Sequence, residues 1–292
     1  MTAAAGGGRP ELWRRRYGPW AVVTGASEGI GEAFARCLAA AGLRIVLVAR
    51  RRARLERLAL ELAERHGAQT LVVELDVGRP EALAALAGAT QHLEVGLLVA
   101  AAGFGTSGRF IDGATATELE MIDVNCRAVA GHALHFGRLM AARRRGGLVL
   151  MSSLLAFQGV PRAANYAATK AYVQVLAEGL SRELVPCGVD VVASAPGPIH
   201  SGFARRATMD MAVAQPPQVV AEGTLAALGR RTTVRPGWLS KGLGLSLAGL
   251  PRAARVRIMA AVMAGMTRRQ HDKTNGEDAG GEGRDGEDAK PA

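Results

Sequence analysis

Short apolar runs alternating with longer amphipathic stretches constrain this chain more than any other feature. The runs WAVVTG, LRIVLVA, TLVVELDV, VGLLVAAAG, GLVLMSS and VDVVASAPG have no polar face. A strand that is apolar on both sides must be covered on both sides. The alternation therefore predicts an α/β fold, a doubly wound parallel sheet of about seven strands with helices on both faces. Helices are expected over residues 30–41, 52–65, 80–89, 117–144, 162–184 and 217–228, with a seventh strand around 233–235. Aromatic residues are only 4% of the chain, so Ala, Val, Leu and Ile must build the core.

Composition sets the outer limits of this domain. Residues 1–17 are Ala/Gly-rich and then arginine-rich, and 267–292 are rich in Gly, Asp and Glu, so both are expected to be disordered tails. The sheet domain is expected over 18–238, followed by a helical extension over 239–266. The formal charge of +10 raises the question of nucleic acid. The arginines lie in scattered clusters at 14–16, 50–54 and 143–145, and no aromatic residues alternate with them to stack on bases, so no nucleic-acid partner is expected.

Cys37, Cys126 and Cys187 are far apart and outside any CxxC pattern, so neither a disulfide framework nor a metal site is expected. A cytoplasmic location fits that usage. No uninterrupted apolar run reaches about eighteen residues, and no secretory leader pattern is present, so secretion and membrane spanning are not expected.

The first strand runs into TGASEGIG, residues 24–31, and then into a helix. Glycines there let the backbone turn sharply and let a pyrophosphate reach peptide N–H groups at the helix N-terminus. A turn of this kind can also serve only to close a strand against a helix. Its position after the first strand of the alternation favours a dinucleotide, with Gly25, Ser27, Gly29, Ile30 and Gly31 as contacts. The second strand ends at Ala49 and is followed by Arg50, Arg51 and Arg52. A carboxylate at that point would hold the ribose hydroxyls of NAD, whereas arginine grips the 2′-phosphate of NADP, so NADP(H) is the expected cofactor and Arg50 the expected grip. Asp76, with Val77 beside it, ends the third strand, where it can meet an adenine or simply cap a helix.

Tyr166 and Lys170 in YAATK fall on one helix face a turn apart. An ammonium near a phenol favours the phenolate and can bring proton exchange towards neutral pH. A solvated tyrosine and lysine would have the same spacing. Ser152 and Ser153 end the fifth strand, where ligands bind in such sheets and a hydroxyl can steady a substrate oxygen. Serines also end strands for local bonding alone. Asn125, in the apolar stretch MIDVNCRAV, must find partners, either structural or through a link to Lys170.

Together these residues resemble the short-chain dehydrogenase/reductase superfamily. The resemblance spans about 17–238 and rests on TGASEGIG, Asp76, Asn125, Ser153 thirteen residues before Tyr166, YAATK, and PGPI at 196–199. It implies a Rossmann sheet and an NADP-dependent oxidoreductase that interconverts a ketone and a secondary alcohol. Tyr166 would be the general acid, Ser153 the residue that orients the carbonyl, and Lys170 a group that lowers the tyrosine pKa and binds the nicotinamide ribose. Asn125 would hold a water next to Lys170. Gly103, Pro196, Gly197 and Ile199 would shape the nicotinamide pocket. The chain departs from the family where Asn-Asn-Ala-Gly is usual: it has Ala100, Ala101, Ala102 and Gly103, which puts the local tie between strands in doubt. Glu28 also stands where some NADP-preferring relatives carry a basic residue.

The extension carries Leu239, Leu243, Leu245, Leu247 and Leu250, then Val256, Ile258, Met259, Val262, Met263 and Met266, with Lys241, Arg252, Arg255 and Arg257 among them. Such basic amphipathic helices can cover a pocket for a lipophilic substrate, pack in a homo-oligomer interface, or rest on a membrane surface. Relatives with similar extensions make a lipophilic or acyl carbonyl substrate the expectation. Two other functions remain open: a non-catalytic NADP(H) sensor, and a peripheral membrane protein acting through these helices.

Overall fold

The computed structural model describes residues 8–200 and 214–266. The expected tail over 267–292, residues 1–7 and residues 201–213 lie outside the described residues. Seven strands, β1 (Trp20–Thr24), β2 (Arg44–Ala49), β3 (Thr70–Glu74), β4 (Val95–Ala100), β5 (Gly146–Met151), β6 (Val189–Ser194) and β7 (Thr233–Val234), form one parallel sheet. Their order is β3-β2-β1-β4-β5-β6-β7. The winding reverses between β1 and β4, where Thr24 lies opposite Ala100. Beyond the carboxyl ends of those two strands the chain must diverge, and a crevice opens there.

The period of two along β1 divides the core. Val22 packs on one side of the sheet, and Ala21 and Val23 on the other. On the second side lie α2 (Gly29–Ala40), α3 (Arg52–His66) and α8 (Pro217–Ala227). Leu55, Leu58 and Leu62 of α3 recur at helical spacing and are all buried, each contributing roughly 1.5–3 kcal/mol. Gly67, at φ +60°, ends that helix in the left-handed region. The first side is covered by α4 (Ala82–Thr90), α5 (Thr115–Ile122), α6 (Ala128–Ala142) and α7 (Ala164–Leu184). The extension forms α9 (Trp238–Ala248) and α10 (Arg252–Met266), and Met259 and Met263 join the core on this same side.

Two expectations change. The helix expected over 117–144 is interrupted by a π turn, Asp123–Arg127, which carries Asn125. Such a turn inserts an extra residue into the helical winding and re-aims the side chains within it. Residues 8–17, expected as part of a disordered tail, form helix α1 (Gly8–Tyr17) instead. The cause is a distant partner: Arg16 donates to both carboxylate oxygens of Asp190 at 2.7 and 2.8 Å, and the buried Tyr17 hydroxyl donates to the same group at 2.7 Å. Arg14 adds a bond to the Gly42 carbonyl at 2.8 Å.

Candidate active site

A cleft of ≈ 660 Å³ crosses the carboxyl ends of the strands. Every residue expected at the cofactor and reaction sites lines it except Asn125, which is fully buried behind it. At the turn after β1, Gly25 has φ +71°, and a Cβ there would lie 2.8 Å from the Ala102 backbone. A Cβ on Gly31 would lie 2.3 Å from the Gly25 carbonyl oxygen, so the turn closes only with glycine at both places. The Ala102 N–H donates to the Thr24 hydroxyl at 3.1 Å. That bond ties β1 to the segment after β4, a role the absent asparagines leave to Thr24.

The end of the cleft near β2 and β3 is charged and exposed. Arg50 lies 3.8 Å from Asp76 and 3.6 Å from Glu120. Arg51 reaches into the glycine-rich turn itself, donating to the Ser27 hydroxyl at 3.0 Å and pairing with Glu28 at 2.9 Å. Glu28 also holds Arg54 at 2.9 Å and makes no capping bond on α2. Glu28 lines the cleft at the start of α2, but its carboxylate is held by Arg51 and Arg54 and does not cap the first-turn amides, where an anion would bind. The sequence singles out Arg50 as the expected grip. The bond to Ser27 makes Arg51 an equal part of this cluster, and only the folded turn reveals it. Asp76 spends one oxygen on the Gly78 N–H at 3.0 Å, the local cap, and turns the other towards Arg50.

At the opposite end the polar groups are buried. Tyr166, Lys170, Ser152, Ser153 and Thr169 are all below a tenth exposed. Ser153 hydrogen-bonds Tyr166, which favours the phenolate, but burial dominates and pushes the phenol up to about 12. Lys170 lies one turn further along the same helix. Its Nζ donates to the Met151 carbonyl at 2.9 Å and lies 5.8 Å from the Tyr166 ring centroid. Burial brings its own pKa down to about 8, with Cys126 opposing that shift. The two serines separate by role: Ser152 donates to the Lys170 carbonyl and so holds α7, while Ser153 faces the tyrosine.

Asn125 is fully engaged by protein groups. It accepts from the Phe104 N–H at 3.1 Å, and donates to the Phe104 carbonyl at 2.8 Å and to the Thr169 hydroxyl at 3.0 Å. Gly103 is pressed between Asn125 and Lys170, since a Cβ there would lie 2.9 Å from the Asn125 Oδ1 and 3.3 Å from the Lys170 Nζ. After β6, Pro196 accepts from the Leu154 N–H at 2.9 Å, which fixes PGPI beside Ser153. His200, beyond it, is exposed. The remaining wall is apolar and comes from the extension, through Leu243, Leu247, Met259, Val262 and Met263.

Among the described residues no cluster of His, Cys, Asp or Glu could hold a metal ion, and no helix is long and apolar enough to cross a membrane. Comparison with known proteins gives a consistent result. A short chain dehydrogenase family model matches residues 19–212. A 7beta-hydroxysteroid dehydrogenase of Collinsella aerofaciens is 34% identical over 178 residues, 61% of this chain and 68% of that one. A solved 7beta-hydroxysteroid dehydrogenase, examined for its stereoselectivity, superposes with a TM-score of 0.78 at 28% identity, covering 84% of this chain and 98% of that one. A short-chain dehydrogenase from Sphingobium yanoikuyae in complex with NADPH superposes with a TM-score of 0.71 at 27% identity, covering 80% and 97%.

Proposed function

The chain belongs to the short-chain dehydrogenase family, and on that premise we propose that it is an NADP(H)-dependent oxidoreductase that interconverts a lipophilic ketone and its secondary alcohol. One observation carries the reading. A single cleft joins an anion-suited turn flanked by Arg50 and Arg51 to a buried Ser153–Tyr166 pair and an apolar wall. The residues present fit the dinucleotide: a Cβ at Gly25, Gly31 or Gly103 would collide with neighbouring groups, and the cradle these glycines leave lines the cleft. Gly25, Ser27, Gly29, Ile30 and Gly31 would hold its pyrophosphate, Arg50 and Arg51 its 2′-phosphate, Asp76 and Val77 its adenine, and Pro196, Gly197 and Ile199 its nicotinamide. When bound, it supplies or accepts the hydride.

The protein's own groups do the rest. Ser153 and Tyr166 converge on the place where a carbonyl oxygen would gain charge. The Tyr166 phenol carries its proton at neutral pH and can donate it to that oxygen in reduction, the Ser153 hydrogen bond favouring its release against the effect of burial. Lys170, poised near pH 8, can take up and release a proton beneath the phenol. Asn125 fixes Phe104 and Thr169 and thereby the floor of the site. Burial behind the apolar wall excludes water and favours a substrate without charge near its carbonyl. The similarity to hydroxysteroid dehydrogenases and to an NADPH complex supports both the substrate class and the cofactor.

A panel of cyclic and linear ketones, assayed with NADPH and with NADH, tests the proposal. NADPH oxidation by a bulky alicyclic ketone is expected; equal rates with both cofactors would refute the NADP(H) preference, and no turnover across the panel would refute the activity.

A further inference from the structure

The loop after β6 is held by a group from outside the sheet. Ser240, in the first turn of α9, has no exposed surface, and its hydroxyl accepts the Gly197 N–H at 2.7 Å. A buried hydroxyl costs free energy unless it is bonded. The other polar side chains of α9, Lys241 and Ser246, are exposed, so Ser240 is the one turned inward. The fit is close: a Cβ on Gly197 would lie 3.1 Å from the Ser240 Oγ. The two ends of the loop have their own backbone ties. Pro196 accepts from Leu154 at 2.9 Å, Pro198 accepts from Gln215 at 3.0 Å, and His200 donates to the Gln215 carbonyl at 2.9 Å. Ser240 supplies the tie at the middle. Leu243 and Leu247, three and seven residues further along α9, fall on the same helix face and line the cleft. One hydrogen bond therefore joins the helix that walls the substrate end to the loop at the nicotinamide end.

We propose that Ser240 is a positioning residue for the cofactor, acting through Gly197 to hold the nicotinamide loop in place from the substrate-covering helix. The inference rests on the dinucleotide reading of the cleft. It makes cofactor affinity at one end depend on a side chain contributed by the extension, which lies beyond the matched family segment.

The test compares two probes on the full chain by titration calorimetry. NADPH fills the whole site, whereas adenosine 2′,5′-bisphosphate lacks the nicotinamide half. In Ser240→Ala, NADPH affinity is expected to fall about tenfold, as loss of a buried bond predicts. The bisphosphate is expected to keep its wild-type affinity. A general structural role would weaken both probes alike, and that result overturns the proposal, as does an unchanged NADPH affinity. Should the alanine variant fail to fold, Ser240→Cys keeps the volume with a weaker acceptor and carries the same comparison, with a smaller selective loss expected. A wild-type chain that binds the bisphosphate but not NADPH would overturn the inference. One that binds neither would instead overturn the cofactor reading beneath it.

Discussion

The two ends of the cleft are built on opposite principles. At the end near β2 and β3, Arg50, Arg51, Glu28, Asp76 and Glu120 are charged, open to water and paired with one another. At the other end Tyr166, Ser153, Asn125, Thr169 and Lys170 are buried and bonded, and Leu and Met residues of the extension close over them. Exposed ion pairs are weak and easily exchanged, so an incoming phosphate can take over their arginines at little cost. Buried polar groups must be satisfied in place, so they hold geometry and shift proton affinities. Under the proposed function, selection of the cofactor falls to one end and proton transfer to the other.

That division can be broken by substitution, and the largest effect is expected at the buried end. Tyr166→Phe removes the proposed proton donor, and turnover should drop roughly 10²–10⁴-fold while NADPH affinity stays within about threefold; steady-state rates and a fluorescence titration measure the two quantities. Asn125→Ala leaves the Phe104 N–H and carbonyl without their side-chain partner. Urea unfolding should show a loss of about 2–3 kcal/mol.

His132, buried on α6 behind this end, extends the contrast to pH. Its pKa is brought down to about 4, first by burial and then by His135. An unfolded chain takes up that proton first as pH falls from 6.5, so the folded state loses stability through the window from 6.5 to 4. The difference in unfolding free energy between wild type and His132→Gln should change by about 2 kcal/mol between pH 7 and pH 5. A pH-independent difference would contradict the buried, neutral imidazole. The smallest effect belongs to the exposed end. Arg51→Ala should weaken NADPH about tenfold and leave NADH unchanged, with the gap narrowing as salt is raised.

The same contrast explains what could be read from the sequence. The apolar runs that became β1 to β6 were legible because burial leaves them dominated by Val, Leu, Ile and Ala, with only a few polar residues such as Glu74 and Asp190 among them. Tyr166, Lys170 and Ser153 were legible because their spacing fixes one helix face and one strand end. Features set by distant partners were not. Asp190 turns the arginine-rich segment into helix α1 from 174 residues away along the chain. Ser240 is an ordinary residue in a Leu/Gly stretch until Gly197 is placed against it. The place of Arg51 beside Arg50 shows only once the turn at Ser27 is folded against it. The Tyr166 pKa is likewise set by burial among other elements, which raises it to about 12 and which helical spacing alone does not show.

The division of labour is tested most directly by one paired titration, measuring NADPH affinity and the turnover number at saturating NADPH for Tyr166→Phe and Arg51→Ala side by side. The predicted result is a crossing, in which the first variant loses turnover and keeps affinity and the second loses affinity and keeps turnover. If both variants lose the same quantity, or if Tyr166→Phe turns over at the wild-type rate, the cleft does not work as two separate ends.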